Sequence, residues 1–403
     1  MTGCKNNRYE LDQILRWAIE NGVSVVREED ADYCIINTCT VTQTADKKSR
    51  QMIRKTKNQN PKAKNIVFGC GARAQKDDFG KIMEIDYLLT DLSAVIELLD
   101  EQIDYHRRLD SRIEPSDGQL SEQTRSRALT QVQDGCDNYC AYCIIASTRG
   151  ASKNRKTDDI IEEIRNHVRN GYNEVVLTGI NVGAFGCTST RKPKETKFSE
   201  LLDEILDKTT IPLIRISSLG PEYFNEDLYR VLQNPRICRH IHLSIQSGST
   251  SVLERMKRQY NADDVEKVIQ RLKKDIPGIA ITTDIIVGFP EETDEEFEET
   301  MEFVKRNPLA KAHVFPYSIR KNTLAAKMEQ VDDETKKKHA KKLQILADKQ
   351  RKEFIEGQIG KKVKIIWENH DEGLTDNYIR VKSDDEREVM SVSEEVLSNE
   401  MLV

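Results

Sequence analysis

Between residues 128 and 354, strand-length apolar runs alternate with charged stretches whose apolar residues recur at helical spacing. The runs Glu174–Thr178, Leu213–Ser217, His240–Ile245, Ala280–Val287 and Lys311–Tyr317 read as buried strands. Alternation of this kind is the mark of parallel β/α units. About six such units predict an α/β fold built on a partial or complete barrel, with chemistry at the C-terminal ends of its strands. The block before it, 1–105, reads as a smaller α/β layer. Glu10–Ala18 carries helical spacing, and Val23–Val26, Tyr33–Asn37 and Asn65–Phe68 are candidate strands. Residues 106–127, rich in Arg, Asp, Ser, Gln and Glu, lack apolar periodicity and read as a linker. Lys336–Lys352 reads as a basic helix. The tail, 355–403, holds short strands at Val363–Trp367 and Tyr378–Val381, enough for a small β-barrel.

Composition narrows the class. The 403 residues are 37% hydrophobic and 32% charged, which allows sizeable cores beneath a charged surface. No run approaches the roughly 20 apolar residues of a spanning helix, and no signal-peptide pattern opens the chain, so a cytoplasmic protein without a membrane partner is expected. Sixty-two basic against 68 acidic residues give a net charge of −6. That argues against wholesale coating of nucleic acid but permits local basic patches. Nine cysteines, an odd number, suit metal or thiol chemistry in a reducing compartment better than a disulfide framework.

Three of those cysteines fall within Asp134-Gly-Cys136-Asp-Asn-Tyr-Cys140-Ala-Tyr142-Cys143. Thiolates spaced C-x3-C-x2-C can hold three irons of a 4Fe–4S cubane from one loop and leave the fourth iron open. A zinc site would need a fourth ligand, and no nearby His supplies one. Cys4, Cys39 and Cys70 lie far apart in sequence, each beside small or turn-forming residues; Cys39 and Cys70 follow candidate strands. A doubly wound sheet brings such loops to one edge, although scattered cysteines are often only small buried residues. Cys34 and Cys238 adjoin strand-like runs and read as core. Cys187 sits in a polar loop and reads as a bystander. His240, His242 and His313, on or beside strands, read as satisfied buried histidines.

The C-x3-C-x-aromatic-C loop after a first barrel strand resembles the radical S-adenosylmethionine (SAM) superfamily. In that superfamily the open iron binds SAM, whose reductive cleavage gives a 5′-deoxyadenosyl radical. The resemblance implies that Cys136, Cys140 and Cys143 are the catalytic cluster ligands and that Tyr142 lies near the adenine. Asp284-x-Ile286-x-Gly288-x-x-Glu291 is similar to the superfamily's G-x-I-x-G-x-x-E adenosine-cradling motif, with Asp in place of the first Gly. With its second cysteine set, the whole chain resembles the methylthiotransferases. These carry an N-terminal domain with a three-cysteine second cluster, a radical SAM barrel and a C-terminal TRAM domain. Two 4Fe–4S clusters and SAM are thereby implied, with Cys4, Cys39 and Cys70 on the second cluster.

Within the family, five segments look like the branch that acts on N6-threonylcarbamoyladenosine at position 37 of the tRNA anticodon loop. They are Asn37-Thr-Cys-Thr-Val-Thr42, Leu177-Thr-Gly-Ile-Asn-Val-Gly-Ala-Phe-Gly186, His242-Leu-Ser-Ile-Gln-Ser-Gly-Ser249, His313-Val-Phe-Pro-Tyr-Ser318 and Asp376-Asn-Tyr-Ile-Arg-Val381. The implied reaction gives the 2-methylthio nucleoside. It needs one SAM for the radical, one for the methyl group, a sulfur source, and a reductase or a flavodoxin- or ferredoxin-type electron donor. Three readings compete: the same chemistry on isopentenyladenosine, the same chemistry on a ribosomal-protein side chain, and a non-catalytic Fe–S RNA-binding protein. Basic runs at Lys47, Lys48, Arg50, Arg54, Lys55 and Lys57 and at Lys336–Lys342 suit RNA phosphates, or serve as solvated helix faces. The last 48 residues, with six basic and twelve acidic side chains, suit RNA poorly. Two departures from the family stand out. No strand precedes Cys4, which places it on a frayed terminus or the true start upstream. The family's Arg-x-Gly-Thr-Pro is Arg320-Lys-Asn322-Thr-Leu324 here.

Overall fold

The computed structural model describes residues 3–109 and 125–403, so most of the expected linker lies outside the described residues. The chain divides into two compact units, Met1–Thr124 with Ser147–Arg149, and Arg125–Ala146 with Gly150–Val403.

The first unit is a three-layer α/β sandwich. Its elements in chain order are α1 (Lys5–Glu20), β1 (Tyr33–Thr38), α2 (Gln43–Gln59), β2 (Lys64–Gly69), the short α3 (Cys70–Ala74) and α4 (Lys76–Phe79), β3 (Tyr87–Leu88) and α5 (Leu92–Leu109). The strands pair in parallel in the order β1-β2-β3. Alternation along β2 sends Ile66 and Phe68 to a core with Ile14 of α1 and Val95 and Leu99 of α5. Val67 faces the other way, onto Ile36, Ile53, Ala72 and Phe79. The expected strand at Val23–Val26 is absent. Gly22, at φ +66°, turns the chain out of α1, and the Val23 amide donates back to the Ala18 carbonyl. Val25 and Val26 remain exposed, so their β propensity finds no sheet to join.

The second unit opens with β4 (Ala128–Asp134), the start of α6 (Ile145–Arg149), whose last three residues belong to the first unit, the two-residue β5 (Lys153–Asn154), α7 (Thr157–Arg169), β6 (Glu174–Gly179) and α8 (Phe198–Lys208). β7 (Leu213–Ile216), β8 (Ser218–Leu219), α9 (Glu226–Val231), β9 (His240–Leu243), α10 (Thr250–Arg255), α11 (Ala262–Asp275), β10 (Ala280–Val287), α12 (Asp294–Arg306), β11 (Lys311–Pro316) and α13 (Asp333–Glu356) follow. One sheet runs β5-β4-β6-β7 and another β11-β10-β9-β8. Only Ser217 separates β7 from β8. The six-step parallel order β4, β6, β7/β8, β9, β10, β11 is the expected sequence of β/α units, while β5 is antiparallel to β4. One continuous core joins the strands to α7, α8, α11, α12 and α13. Among the described residues β11 pairs only with β10, and Leu343 and Ala347 of α13 share the core with its Ala312.

The tail forms an antiparallel sheet ordered β14-β13-β12-β15, from β12 (Lys362–Trp367), β13 (Glu372–Thr375), β14 (Arg380–Lys382) and β15 (Val392–Val396). Its core is Val363, Ile365, Trp367, Ile379, Val381 and Leu397. The turn after β13 reaches the N-terminal ends of the parallel strands. Arg215 of β7, fully buried, donates through Nε to Glu174 Oε1 at 2.7 Å and through Nη2 to Oε2 at 3.1 Å. Its Nη1 and Nη2 also donate to the carbonyls of Asp376 and Thr375, each at 3.2 Å. Tyr378, at φ +67°, stacks on His240 with ring centroids 4.0 Å apart, and Arg239 forks onto the Asp376 carboxylate. The segment Asp376–Val381 thus closes the lower end of the strand arc. No helix among the described residues is long and apolar enough to cross a membrane.

Candidate active site

The loop that carries Cys136, Cys140 and Cys143 leaves the C-terminal end of β4. Gly135, at φ +71°, makes the turn: a Cβ there would lie 2.1 Å from the Ala151 carbonyl oxygen. Backbone bonds then fix the loop, from Cys136 N to Gly150 O at 3.0 Å, Ala141 N to Met256 O at 3.0 Å, and Cys143 N to Cys140 O at 3.0 Å. Asp137 holds its far side, accepting from the Thr190 amide at 2.9 Å and hydroxyl at 2.6 Å. Burial pushes the Cys143 thiol up to about 12, with the neighbouring Cys140 and Cys136 adding to the effect. Burial raises Cys136 as well. Donors nevertheless point at two of the sulfurs, Arg258 Nη1 at 3.3 Å from Cys140 Sγ and Ile145 N at 3.5 Å from Cys143 Sγ, while the Cys136 thiol itself donates to Thr190 Oγ1 at 3.9 Å. Crowded, half-buried thiols, two of which face donors suited to thiolates, fit a bound cationic cluster.

Tyr142 is half-buried beside this loop, edge-on to Phe289 at 6.4 Å, in a cluster that also holds Ile286, Met256 and Tyr317. The fold therefore joins the cysteine loop to the segment after β10. Gly288, at φ +64°, leaves room for Lys336, whose Cγ would lie 2.4 Å from a Cβ. Asp284 sits on β10, its Oδ2 3.4 Å from His242 Nε2. Glu291 is exposed, at φ +63°. The buried carboxylate of this turn is instead Glu292, which accepts from the Gly288 amide and is pushed up to about 7 by burial. Nothing in the sequence marks Glu292 apart from its motif-like neighbour Glu291. Nor does it mark Arg258, 118 residues from Cys140. Arg258 Nε donates to Tyr260 OH at 2.8 Å, and Tyr260 anchors on the carbonyls of Ser244 and Ile245.

In the first unit, Cys39 directly follows β1, Cys70 directly follows β2, and Cys4 caps α1. The three loops meet, with Cys4 acting electrostatically on both Cys39 and Cys70. An Asn7–Asn37 pair stitches them. Asn7 Nδ2 donates to Asn37 Oδ1 at 2.7 Å and to Thr38 O at 3.1 Å, and Asn37 Nδ2 donates to Glu10 Oε2 at 2.7 Å. Thr38 Oγ1 bridges Phe68 O and the Ala72 amide. Gly69 is obligatory here: at φ +98°, a Cβ would fall 2.1 Å from Asn37 Oδ1. Burial pushes Cys70 up to about 11, opposed by Arg149. Arg149 belongs with this unit. It donates through Nε to Cys70 Sγ at 3.2 Å and through Nη1 to Glu10 Oε1 at 2.9 Å. Among the described residues no three His, Cys, Asp or Glu side chains converge on a single ion. A cubane seats each thiolate on a different iron, and so spreads its ligands more widely than a lone ion does.

The remaining cysteines are core. Cys34 and Cys238 are buried as expected, while Cys187, read as a loop bystander, is buried in the main core cluster. His240 and His242 share Thr282 Oγ1, each at 3.0 Å. Asn322 has φ +68°, a left-handed conformation that Asn tolerates better than most side chains, which fits Asn at the glycine position of the motif that this loop resembles.

Residues 130–304 match the Radical SAM superfamily and residues 1–90 the uncharacterized protein family UPF0004. The chain is 36% identical over 403 residues to the threonylcarbamoyladenosine tRNA methylthiotransferase MtaB of Bacillus subtilis, covering 94% of this chain and 88% of that protein. It is 34% identical to the MtaB of Aquifex aeolicus, covering 96% of each. It is 32% identical to the tRNA-2-methylthio-N(6)-dimethylallyladenosine synthase of Acetivibrio thermocellus, covering 91% of this chain and 79% of that one. Among solved structures, the radical SAM methyltransferase TsrM of Kitasatospora setae superposes with a TM-score of 0.54 at 14% identity, over 73% of this chain and 65% of that one, a likeness of fold. The chain is a transferase and belongs to the radical SAM methylthiotransferase family.

Proposed function

We propose that this enzyme methylthiolates C2 of N6-threonylcarbamoyladenosine in the tRNA anticodon loop. One observation carries the reading. A chain with one three-cysteine loop after β4, and a second set of three cysteines at the start of α1 and after β1 and β2, is 34–36% identical over nearly its whole length to proteins named for that nucleoside. Cys136, Cys140 and Cys143 would hold the SAM-binding cluster, and Cys4, Cys39 and Cys70 a second cluster that handles sulfur. When bound, these groups supply the radical, the sulfur and the methyl group that acid–base side chains cannot.

The chain's own residues hold, orient and seal. Arg258 sets a fixed positive charge against Cys140, and Tyr142, Ile286 and Phe289 offer an apolar wall for an adenine. Gly288 and the Glu291 turn would shape the far side of that pocket, with Asp284 held by His242 beneath it. The Arg215–Glu174–Tyr378 closure keeps water from entering through the lower end, as a radical reaction requires.

We assign 1–105 to the second-cluster domain, 106–127 to a linker, 128–354 to the radical SAM domain and 355–403 to a TRAM-like module. On α2, Lys47, Lys48 and Lys55 are exposed and suit RNA phosphates, whereas Lys57 is tied to Asp86 at 2.8 Å. A flavodoxin- or ferredoxin-type donor, a sulfur source and a cytoplasmic setting complete the reading. The test is mass spectrometry of tRNA nucleosides from a methylthiotransferase-null bacterial host that expresses the chain. The 2-methylthio-N6-threonylcarbamoyl nucleoside should appear. Product on isopentenyladenosine instead, or none from iron-loaded protein, would overturn the assignment.

A further inference from the structure

Lys311, His313 and Phe315 alternate along one face of β11, in register with Thr282, Asp284 and Ile286 of β10. Ile286, the upper member of that row, packs in the Tyr142 cluster. Each step of two residues down the strands is about 7 Å, so His313 lies one step below the adenine wall and Lys311 two steps below. Beside them, where α13 covers the edge of β11, is a cavity of about 170 Å³ lined by Lys311, His313, Phe315, Gln344, Asp348 and Arg351.

The charge of this cavity is unbalanced. Among the described residues, neither Lys311 nor Arg351 has a hydrogen-bond or ion-pair acceptor. The Lys311 ammonium is held below its ordinary range by burial and by repulsion from Arg351 and Arg380, and His313 is lowered by burial and by Lys311. Of the acids here, Asp348 in the lining accepts through Oδ1 from the neutral Gln344 Nε2 at 2.7 Å and keeps its charge, and Asp284 faces His242. Two cations and one carboxylate leave this lining net positive, with neither cation paired to that carboxylate, which is an arrangement for an anion that arrives with a ligand.

We propose that Lys311 and Arg351, with His313, form the specificity pocket for the carboxylate of the base's N6 substituent. This rests on the function proposed above. An adenine held by its C2 edge at the strand ends directs its N6 chain away from them, down this face. A threonylcarbamoyl chain ends in a carboxylate, whereas an isopentenyl chain ends in methyl groups that would leave both cations unpaired. The cavity is too small for a stretch of RNA backbone but suits the end of one side chain.

The test uses the full holoprotein with SAM and two anticodon stem-loop RNAs. One carries N6-threonylcarbamoyladenosine and the other its threonyl methyl ester, so backbone phosphates contribute equally to both. Fluorescence anisotropy should show the acid binding roughly 10- to 100-fold tighter than the ester. Lys311→Met and, separately, Arg351→Gln should remove most of that difference and leave ester affinity unchanged, with Lys311→Arg restoring it. Equal binding of acid and ester to the wild type, or variants that weaken both alike, would overturn the pocket. If tRNA in the null host still gains the threonylcarbamoyl product, that failure leaves the proposed function standing. Product on another nucleoside would overturn both.

Discussion

Arg215→Met would test how the C-terminal sheet is tied to the strand arc. The wild-type guanidinium is fully buried and satisfies both oxygens of the equally buried Glu174 as well as two carbonyls of the turn after β13. Methionine fills much of the volume but leaves Glu174 charged in a dry site. Removing one partner of a buried pair costs about 3–5 kcal/mol. Arg127, whose Nη1 lies 3.8 Å from Glu174 Oε1 and is partly exposed, offsets some of this, which favours the lower end. For a unit of this size, about 3 kcal/mol lowers the melting temperature by roughly 6–12 °C. Thermal unfolding of the holoprotein followed by circular dichroism reads this directly. Arg215→Met with Glu174→Met should recover part of the loss, because no buried charge is then left unpaired. A drop of less than about 2 °C for the single variant, or a double variant less stable than Arg215→Met alone, would refute the reasoning.

Three further outcomes follow from the geometry. Gly69→Ala places a Cβ on Asn37 and Thr38, so iron analysis of purified protein should show a loss of about half the iron with the Cys136 cluster intact. Arg258→Met removes a charge-assisted donor from Cys140, about 1.5–3 kcal/mol. Only the part of that energy that differs between oxidised and reduced cluster shifts the potential, so redox titration should find it more negative by up to roughly 60–120 mV. Glu292, raised to about 7 against an ordinary value of 4.5, binds more protons folded than unfolded. It therefore costs stability as pH rises from about 4.5 to 7, in all about 3 kcal/mol. Glu292→Gln should lose that dependence, so the gap between variant and wild type in denaturant midpoint should widen across this window.

What could be read from sequence was what is local. The strands of the parallel arc fall within a residue or two of their apolar runs, because buried parallel strands are continuous apolar segments. The C-x3-C-x2-C loop needed no tertiary information either. Val23–Val26 misled because four β-branched or small residues carry propensity but not a partner. The short strands β3, β5 and β8, and the tail strands Glu372–Thr375 and Val392–Val396, are too brief or too polar to show as pattern. The site's distant partners were hidden for a different reason. Arg258 reaches Cys140, Arg215 reaches Asp376, and Lys311 faces Arg351 only after the chain has folded, and nothing in the residue types marks those pairs. Even the Glu291–Glu292 choice depended on a single positive φ that turns one carboxylate out and the next one in.

The central claim is a division of labour between two three-cysteine sites, and parallel assays of Cys140→Ala and Cys70→Ala on threonylcarbamoylated tRNA with SAM and a reductant test it most directly. Cys140→Ala should yield neither 5′-deoxyadenosine nor methylthiolated nucleoside. Cys70→Ala should still yield 5′-deoxyadenosine but no methylthiolated nucleoside. Full methylthiolation by Cys70→Ala, or 5′-deoxyadenosine formation undiminished in Cys140→Ala, would contradict the account.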